Sequence, residues 1–538
     1  MTACTASPQQ NSKTSTPPIA PSTTPGAATY AFPAVDANYV YDQLYYLSTA
    51  FQQRESGFDL SPEHNGHKAF AQYWAQAMQQ NLQGFAPQVT YHYFQAGWIS
   101  RPGDSPGYNV EVTIPGAVHP EQVVVVGSHY DGMHVSQGSA FDDTSGCAIM
   151  LGQAKALADY WRAHHLYPAR TLRFVIFDAE EEGILGSYEY VNNTVNGDRA
   201  NIVAMINEEQ SGFSYPVRFL GKASNPVIPL HIWNVNRSQN GSQTYFADLI
   251  RSALPTVASE MRTMGYTSAL YHDNQGKDVR LPIFTNDQIS HILVTGDPLG
   301  GSDDAAFDQA NVSALTFIAG DEGILNAQTG SFEGSSIPAN QMYPFDTHYD
   351  TIQLMNGYAN GETRKSQALT LALDFQTMLA AWMLDQPAMI GHIAADQLAA
   401  GPLAAISSVG ILQPGVPLQL NALASFDPRN PQSKLKAHWD FGDGVQVDGL
   451  SVQHVYSQAG TYPLTLTIQD ANGSRHVSKT LVVTTTALKY TNILLIIHRY
   501  DSTLALGDHA PESGFMLPQI TQDGDGLTSS DHFPGHNL

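Results

Sequence analysis

Thr171-Leu172-Arg173-Phe174-Val175-Ile176-Phe177 runs directly into Asp178-Ala179-Glu180-Glu181-Glu182-Gly183-Ile184-Leu185-Gly186-Ser187. The first seven residues read as a strand, and two or more carboxylates at its end repel one another and need a reason to be there. A purely structural reading makes Glu180 and Glu181 solvated loop charges. Gly183 and Gly186 instead imply a tight turn that fixes them at the C-terminal edge of a sheet, where open α/β sheets place their chemistry. Working outward, the strand-like run 122–128 ends in His129-Tyr130-Asp131, and Asp142-Asp143-Thr144-Ser145-Gly146 precedes another apolar stretch. Three acidic or imidazole clusters at strand or helix ends imply a metal site.

The residue types suit that chemistry. Imidazole and carboxylate bind Zn²⁺, and two ions about 3.5–4 Å apart need a bridging carboxylate. In the pair Glu180-Glu181 one side chain can bind metal while the other stays free as a general base toward water. Asp131, two residues after His129, is placed to accept the second ring N–H of His129 and fix its tautomer.

His129-Tyr130-Asp131, Phe141-Asp142-Asp143-Thr144-Ser145-Gly146 and Ala179 through Ser187 together resemble the successive signatures of the di-zinc leucyl aminopeptidase family of clan MH. The resemblance covers roughly residues 35–390, with a less recognisable stretch between about Gly221 and Gly296. It implies two Zn²⁺ ions, His129 and a bridging Asp142 as ligands, Glu181 as a ligand of one zinc, and Glu180 as general base. Asn207-Glu208-Glu209 stands where the family carries Asn-x-Asp, so Glu209 matches the ligand of the other zinc, with Glu208 as the substitute. The last ligand falls in Thr347-His348-Tyr349-Asp350-Thr351, where the family's His lies four positions before Asp-Thr. The resemblance is met here by His348, with Asp346 as the alternative. Gly301-Ser302-Asp303-Asp304-Ala305-Ala306-Phe307 resembles the family's Ser-Asp-His-x-x-Phe with Asp304 in place of His, and supplies no ligand.

Each piece alone has a plainer reading. His-x-Asp is a common surface arrangement, Asp142 before Thr144 and Ser145 reads as a helix N-cap, and an acidic triplet reads as a solvated turn. Their order and spacing together favour the metal site. His164-His165 closes a helix and reads as solvated, and His134 has no partner spacing.

Composition bounds the rest. A chain of 538 residues with 42% hydrophobic residues is long enough for two or three folded domains. Lys+Arg 25 against Asp+Glu 49 gives a formal charge of −24, which disfavours nucleic acid and anionic membranes. Cys4 and Cys147 build no disulfide framework, and Cys147 in an apolar helix-like run reads as a buried thiol. The first residues lack a basic region followed by an apolar core, yet Met1-Thr2-Ala3-Cys4 resembles the end of a bacterial lipobox. The Ser/Thr/Pro-rich stretch from about Thr5 to Ala28 would then be a tether and Cys4 a lipid anchor; the alternative is a plain disordered N-terminus. We therefore expect a secreted or surface-tethered protein.

Residues 36–51 and 67–82 read as amphipathic helices, 88–94 and 108–114 as strands, and 148–164 and 366–384 as long helices. The strand–helix alternation predicts an α/β fold with a mixed, mainly parallel central sheet flanked by helices over 34–395, after a flexible tether at 1–33. From 403 to 485 the period shortens to alternating strands. Ala424-Ser425-Phe426-Asp427-Pro428, Trp439-Asp440-Phe441-Gly442-Asp443-Gly444 and His454-Val455-Tyr456 resemble a polycystic kidney disease (PKD) domain. That implies an all-β immunoglobulin-like sandwich with Trp439, Phe441, Leu464, Leu466 and Ile468 as core. Residues 486–538 are an extension of unknown structure, in which Asp523-Gly524-Asp525-Gly526 reads as a turn.

The expectation for function is a zinc-dependent aminopeptidase acting on peptide or protein substrates, with Glu180 and Asp131 as catalytic residues and His129, Asp142, Glu181, Glu209 and His348 as ligands. The PKD-like module would contact extracellular protein or glycan. Alternatives are a glutaminyl cyclase or carboxypeptidase on the same fold, or a non-catalytic adhesion protein with a degenerate peptidase domain.

Overall fold

A computed structural model of the chain describes residues 32–36, 38–57, 59, 66–95, 105–133, 136, 138–212, 228, 230–233, 246–272, 277–295, 302–319, 325–326, 331–332, 345–360, 365–398 and 401–485. The expected tether with Cys4, the extension after 485, His134 and parts of the 221–296 stretch lie outside them.

Strands β1 (Gln88–Phe94), β2 (Gly107–Ile114), β3 (His119–His129), β4 (Arg170–Phe177), β5 (Ile202–Glu208), β6 (His231–Trp233), β7 (Leu293–Thr295) and β8 (Ala314–Ile318) form one sheet. Its order is β1-β2-β4-β3-β5-β8-β6-β7. The centre, β4, β3, β5 and β8, is parallel; β2 pairs antiparallel with both β1 and β4, and β6 pairs antiparallel with β8 but parallel with β7. The mixed, mainly parallel sheet expected from the alternation is what forms. Its central strands carry apolar residues on both sides because both faces are covered. Val124 and Val126, Leu172, Phe174 and Ile176, and Ala204 and Ile206 face one core. The alternate residues Val123 and Val125, Val175 and Phe177, and Met205 face the other, with Tyr190 and Phe307. The period of two thus assigns each strand residue a side.

Helices α1 (Tyr39–Ala50), α2 (Gly66–Asn81), α3 (Thr144–His164), α4 (Ala247–Thr263) and α5 (Gln367–Asp385) contribute to the larger core. Helix α3 starts earlier than expected, at Thr144, because Asp143 caps it: the Gly146 amide donates to Asp143 Oδ1 at 2.9 Å. The cap is therefore Asp143, which leaves the neighbouring Asp142 side chain for other work. Cys147 is buried in this helix. No helix among the described residues is long and apolar enough to cross a membrane.

The C-terminal strands form a three-stranded sheet (Ser407–Val409, Pro417–Asn421, Ser451–Val455) and a four-stranded one (Gln446–Asp448, Lys436–Asp440, Gly460–Gln469, Ser474–Val483). Trp439, Phe441, Leu464, Leu466 and Ile468 are fully buried in their own cluster. Gly442 and Gly444 take φ of 74° and 94° in the turn after Phe441, a region open to glycine at no steric cost.

Candidate metal centre

Parallel pairing sets three strand ends side by side: His129 lies opposite Phe177, and Gly127 opposite Asn207. The residues just beyond, Tyr130-Asp131, Asp178 to Glu182, and Glu209, therefore gather at one sheet edge. Two groups of donor atoms form there, each within 4.8 Å: His129, Asp142 and Glu209, and Asp142, Glu181 and Asp346. Asp142 belongs to both. His129 Nε2 is 2.9 Å from Asp142 Oδ1 and 3.8 Å from Glu209 Oε1.

Of the two acidic residues at the end of β5, the strand's alternation turns only one to this edge. Glu208 points into the helical layer, where the side-chain amides of Gln153 and Gln376 hold it, the latter at 2.7 Å. Burial pushes its carboxyl up to about 8, so it sits there as a neutral group at neutral pH. Glu209 faces His129, and Ser302 Oγ donates to its Oε2 at 2.5 Å. Sequence reasoning gave Ser302 no such part.

His348 is not in either group. Its ring is exposed and lies against Tyr349, with centroids 4.0 Å apart. Asp346, in a left-handed backbone conformation (φ 58°), reaches Asp142 and Glu181 instead. The choice of His348 is thus corrected to Asp346: side chains two positions apart in this turn diverge, and the inward position is four before Asp350.

The surrounding groups explain how the edge is held. Asp131 accepts both the Glu180 and Glu181 amides, at 3.1 and 3.2 Å, and lies 3.5 Å from His129 Nδ1. One carboxylate thereby positions the acidic turn and faces the imidazole. Asp350 accepts the amides of Phe141 and Asp142 at 2.7 and 3.0 Å, so the segment carrying Asp346 also fixes the backbone of Asp142, the residue common to both donor groups. Gln210 Nε2 donates to Asp142 Oδ2 at 3.0 Å. Arg54, buried, spends its guanidinium on loop oxygens. Nε donates to Tyr130 O (2.7 Å), Nη1 to Gly138 O (2.8 Å), and Nη2 to Thr144 Oγ1 (2.8 Å) and Ser139 O (3.3 Å). With Ser302, Arg54 and Asp350 are residues that sequence reasoning missed; the latter two act on backbone far away in sequence.

The electrostatics are lopsided. Burial, with Glu209 and Asp346 adding to it, pushes the Asp142 carboxyl up to about 7. Burial also drives Glu181 well above the carboxylate range, reinforced by Asp346 and Asp142. Glu180 rises likewise through burial and the charges of Glu209, Asp303 and Asp142, against the opposing pull of His129. Burial alone would lower His129, but Glu180, Asp131, Asp142 and Glu209 raise it well above its usual value. Neither His129 Nδ1 nor Glu181 Oε1 makes a hydrogen bond. Buried carboxylates sharing so little positive charge call for cations, and an O-rich donor set with one imidazole fits divalent zinc.

An edge of this kind, with buried carboxylate and imidazole donors gathered at the end of a parallel sheet, is the class of site that a zinc-dependent hydrolase uses. Residues 109–370 match peptidase family M28, and residues 399–485 match the PKD domain. The chain carries a domain of peptidase family M28, among the zinc peptidases of clan MH, followed by a PKD domain. It is 29% identical over 186 residues to carboxypeptidase Q of Mus musculus, covering 32% of this chain and 37% of that protein. Over 115 residues it is 37% identical to leupeptin-inactivating enzyme 1 of Streptomyces exfoliatus, covering 21% and 25%. The matches thus span about a third or less of these relatives' length. Among solved structures it is similar to BSAP, a zinc aminopeptidase from Bacillus subtilis, at 15% identity and a TM-score of 0.43, over 66% of this chain and 98% of that one.

Proposed function

We propose that the chain is a metallo-exopeptidase that removes N-terminal residues from peptides, with two zinc ions held around Asp142. The sharing of Asp142 by two buried donor sets carries this reading. His129, Asp142 and Glu209 would hold one ion, and Asp142, Glu181 and Asp346 the other. When bound, the ions supply Lewis acidity toward the scissile carbonyl and lower the pKa of water to about 7. Glu180 is the general base: it takes the proton of the attacking water and returns it to the leaving amine. Asp131 orients both participants, holding the Glu180 amide and facing His129.

Cleavage at the C-terminus is the second reading, favoured by the similarity to a carboxypeptidase. Aminoacyl p-nitroanilides and N-acetylated dipeptides with a free carboxylate separate the two. Hydrolysis of the first alone supports N-terminal cleavage, and hydrolysis of the second alone overturns it. Metal analysis tests the site itself: wild type returns two ions per chain, Asp346→Asn one, and His348→Ala two. Loss of an ion from His348→Ala with both kept in Asp346→Asn would return the ligand to His348.

A further inference from the structure

Lys479 belongs to the last strand of the PKD domain, yet its ammonium is buried against Asp198 of the peptidase domain. Asp198 is itself fully buried and accepts from Arg173 Nη2 at 2.7 Å. Arg173, in the middle of β4, lies 3.6 Å from Glu111 of β2. Glu111 accepts from Tyr190 Oη at 2.7 Å and from Thr113 Oγ1 at 2.5 Å, and lies 3.2 Å from His92 Nε2. The side chains of Lys479, Asp198, Arg173 and Glu111 are at most 3% exposed, so the array is two cations and two anions closed off from water. Three of the four come from the peptidase domain, and that domain alone holds one more anion than cation.

The rest of the interface is of matching character. Arg475 Nη1 donates to Ala117 O at 2.7 Å, the Gly410 amide to Thr194 O at 3.1 Å, and the Leu412 amide to Asn196 Oδ1 at 3.1 Å. Leu403 and Phe426 of the PKD domain pack with Ala117 and Leu398 in an apolar cluster that Tyr167 and Ile393 border. A Cβ at Gly197 would stand 3.0 Å from Ser408 Oγ, so the Ser408 side chain packs closely on the Gly197 backbone there.

We propose that the Asp198 face of the peptidase domain is an obligate docking site for the chain's own PKD domain, with Lys479 as the required counter-ion, and that the two domains unfold as one unit. Removing one member of a buried ion pair leaves an uncompensated charge and is strongly destabilising, whereas removing both restores balance. Truncation of the whole domain is a weaker probe, because it lets water reach Asp198.

The test uses the full chain in scanning calorimetry. Wild type should unfold in a single transition. Lys479→Met, which leaves one excess anion, and Asp198→Asn, which leaves one excess cation, should each lower Tm by about 5 °C or more. The double variant Lys479→Met/Asp198→Asn, with Arg173 and Glu111 left as a balanced pair, should recover at least half of the larger loss. Lys436→Met, on a strand of the same module, serves as the reference for a PKD substitution outside the array. Two separate transitions, of which Lys479→Met moves only one, would overturn the proposal. So would a double variant whose loss equals the sum of the singles.

Discussion

The central sheet buries charge in two places with opposite bookkeeping. In the middle of β4 and β2, Arg173 and Glu111 belong to an array of two cations and two anions. At the C-terminal edge, Asp142, Glu180, Glu181, Glu209 and Asp346 crowd around a single imidazole. The first arrangement is self-sufficient, and depression of the Asp198 carboxyl by Lys479 and Arg173, against the cost of burial, shows a group at rest in its charged form. The second, through burial and mutual repulsion, raises the carboxyls of Asp142, Glu180 and Glu181. Balanced buried charge is architecture, and unbalanced buried charge marks the place where something else must arrive.

The largest effect should come from the unbalanced edge. Glu180→Gln is expected to lower kcat by at least ~10²-fold while metal content stays at the wild-type value. If zinc is lost with activity, Glu180 is a ligand and the division of labour within the acidic pair fails. Arg54→Met comes next. It removes the guanidinium that ties Tyr130 O, Gly138 O, Ser139 O and Thr144 Oγ1 together, so metal affinity measured by competition with a chelator should fall ~10–100-fold without any of the candidate ligands being touched. Affinity within twofold of wild type would mean the loops hold themselves.

A third test concerns a buried pair standing just beneath the edge. His67 lies 2.8 Å from both Asp59 and Asp178. Burial works against its charge, but Asp178 and then Asp59 push its pKa up to about 10. The folded value lies above the unfolded one of 6.5, so the stabilisation is complete below pH 6.5 and is lost as pH rises toward 10. Denaturation at a series of pH values should show this decline in wild type and a flatter profile in His67→Gln. An equal slope in both would show that the charge on His67 does not underlie the decline. The smallest effect is expected from His348→Ala, exposed beside the site: kcat/KM within about twofold of wild type.

Much of this was legible locally. The run 171–177 announced β4, the glycines after it announced the turn, and the alternation of Leu464, Leu466 and Ile468 announced a one-faced strand. Those signals are short-range, because strand period and turn chemistry are properties of adjacent residues. What stayed hidden is long-range or depends on one backbone angle. Nothing around Lys479 says that its partner is Asp198, and nothing around Arg54 says that its partners are carbonyls near residue 140. The choice between Asp346 and His348 turned on a left-handed residue that spacing alone does not reveal.

Asp350 holds the amides of Phe141 and Asp142 across a sequence separation of 209 and 208 residues. The segment that brings Asp346 is therefore also the clasp for the shared ligand. On the ribosome, the His129 side of the edge can be laid down early, but the clasp is translated only after more than 200 further residues. A nascent chain reaches the complete donor set late, which postpones the moment at which this hydrolase can first act until most of its peptidase domain has been made.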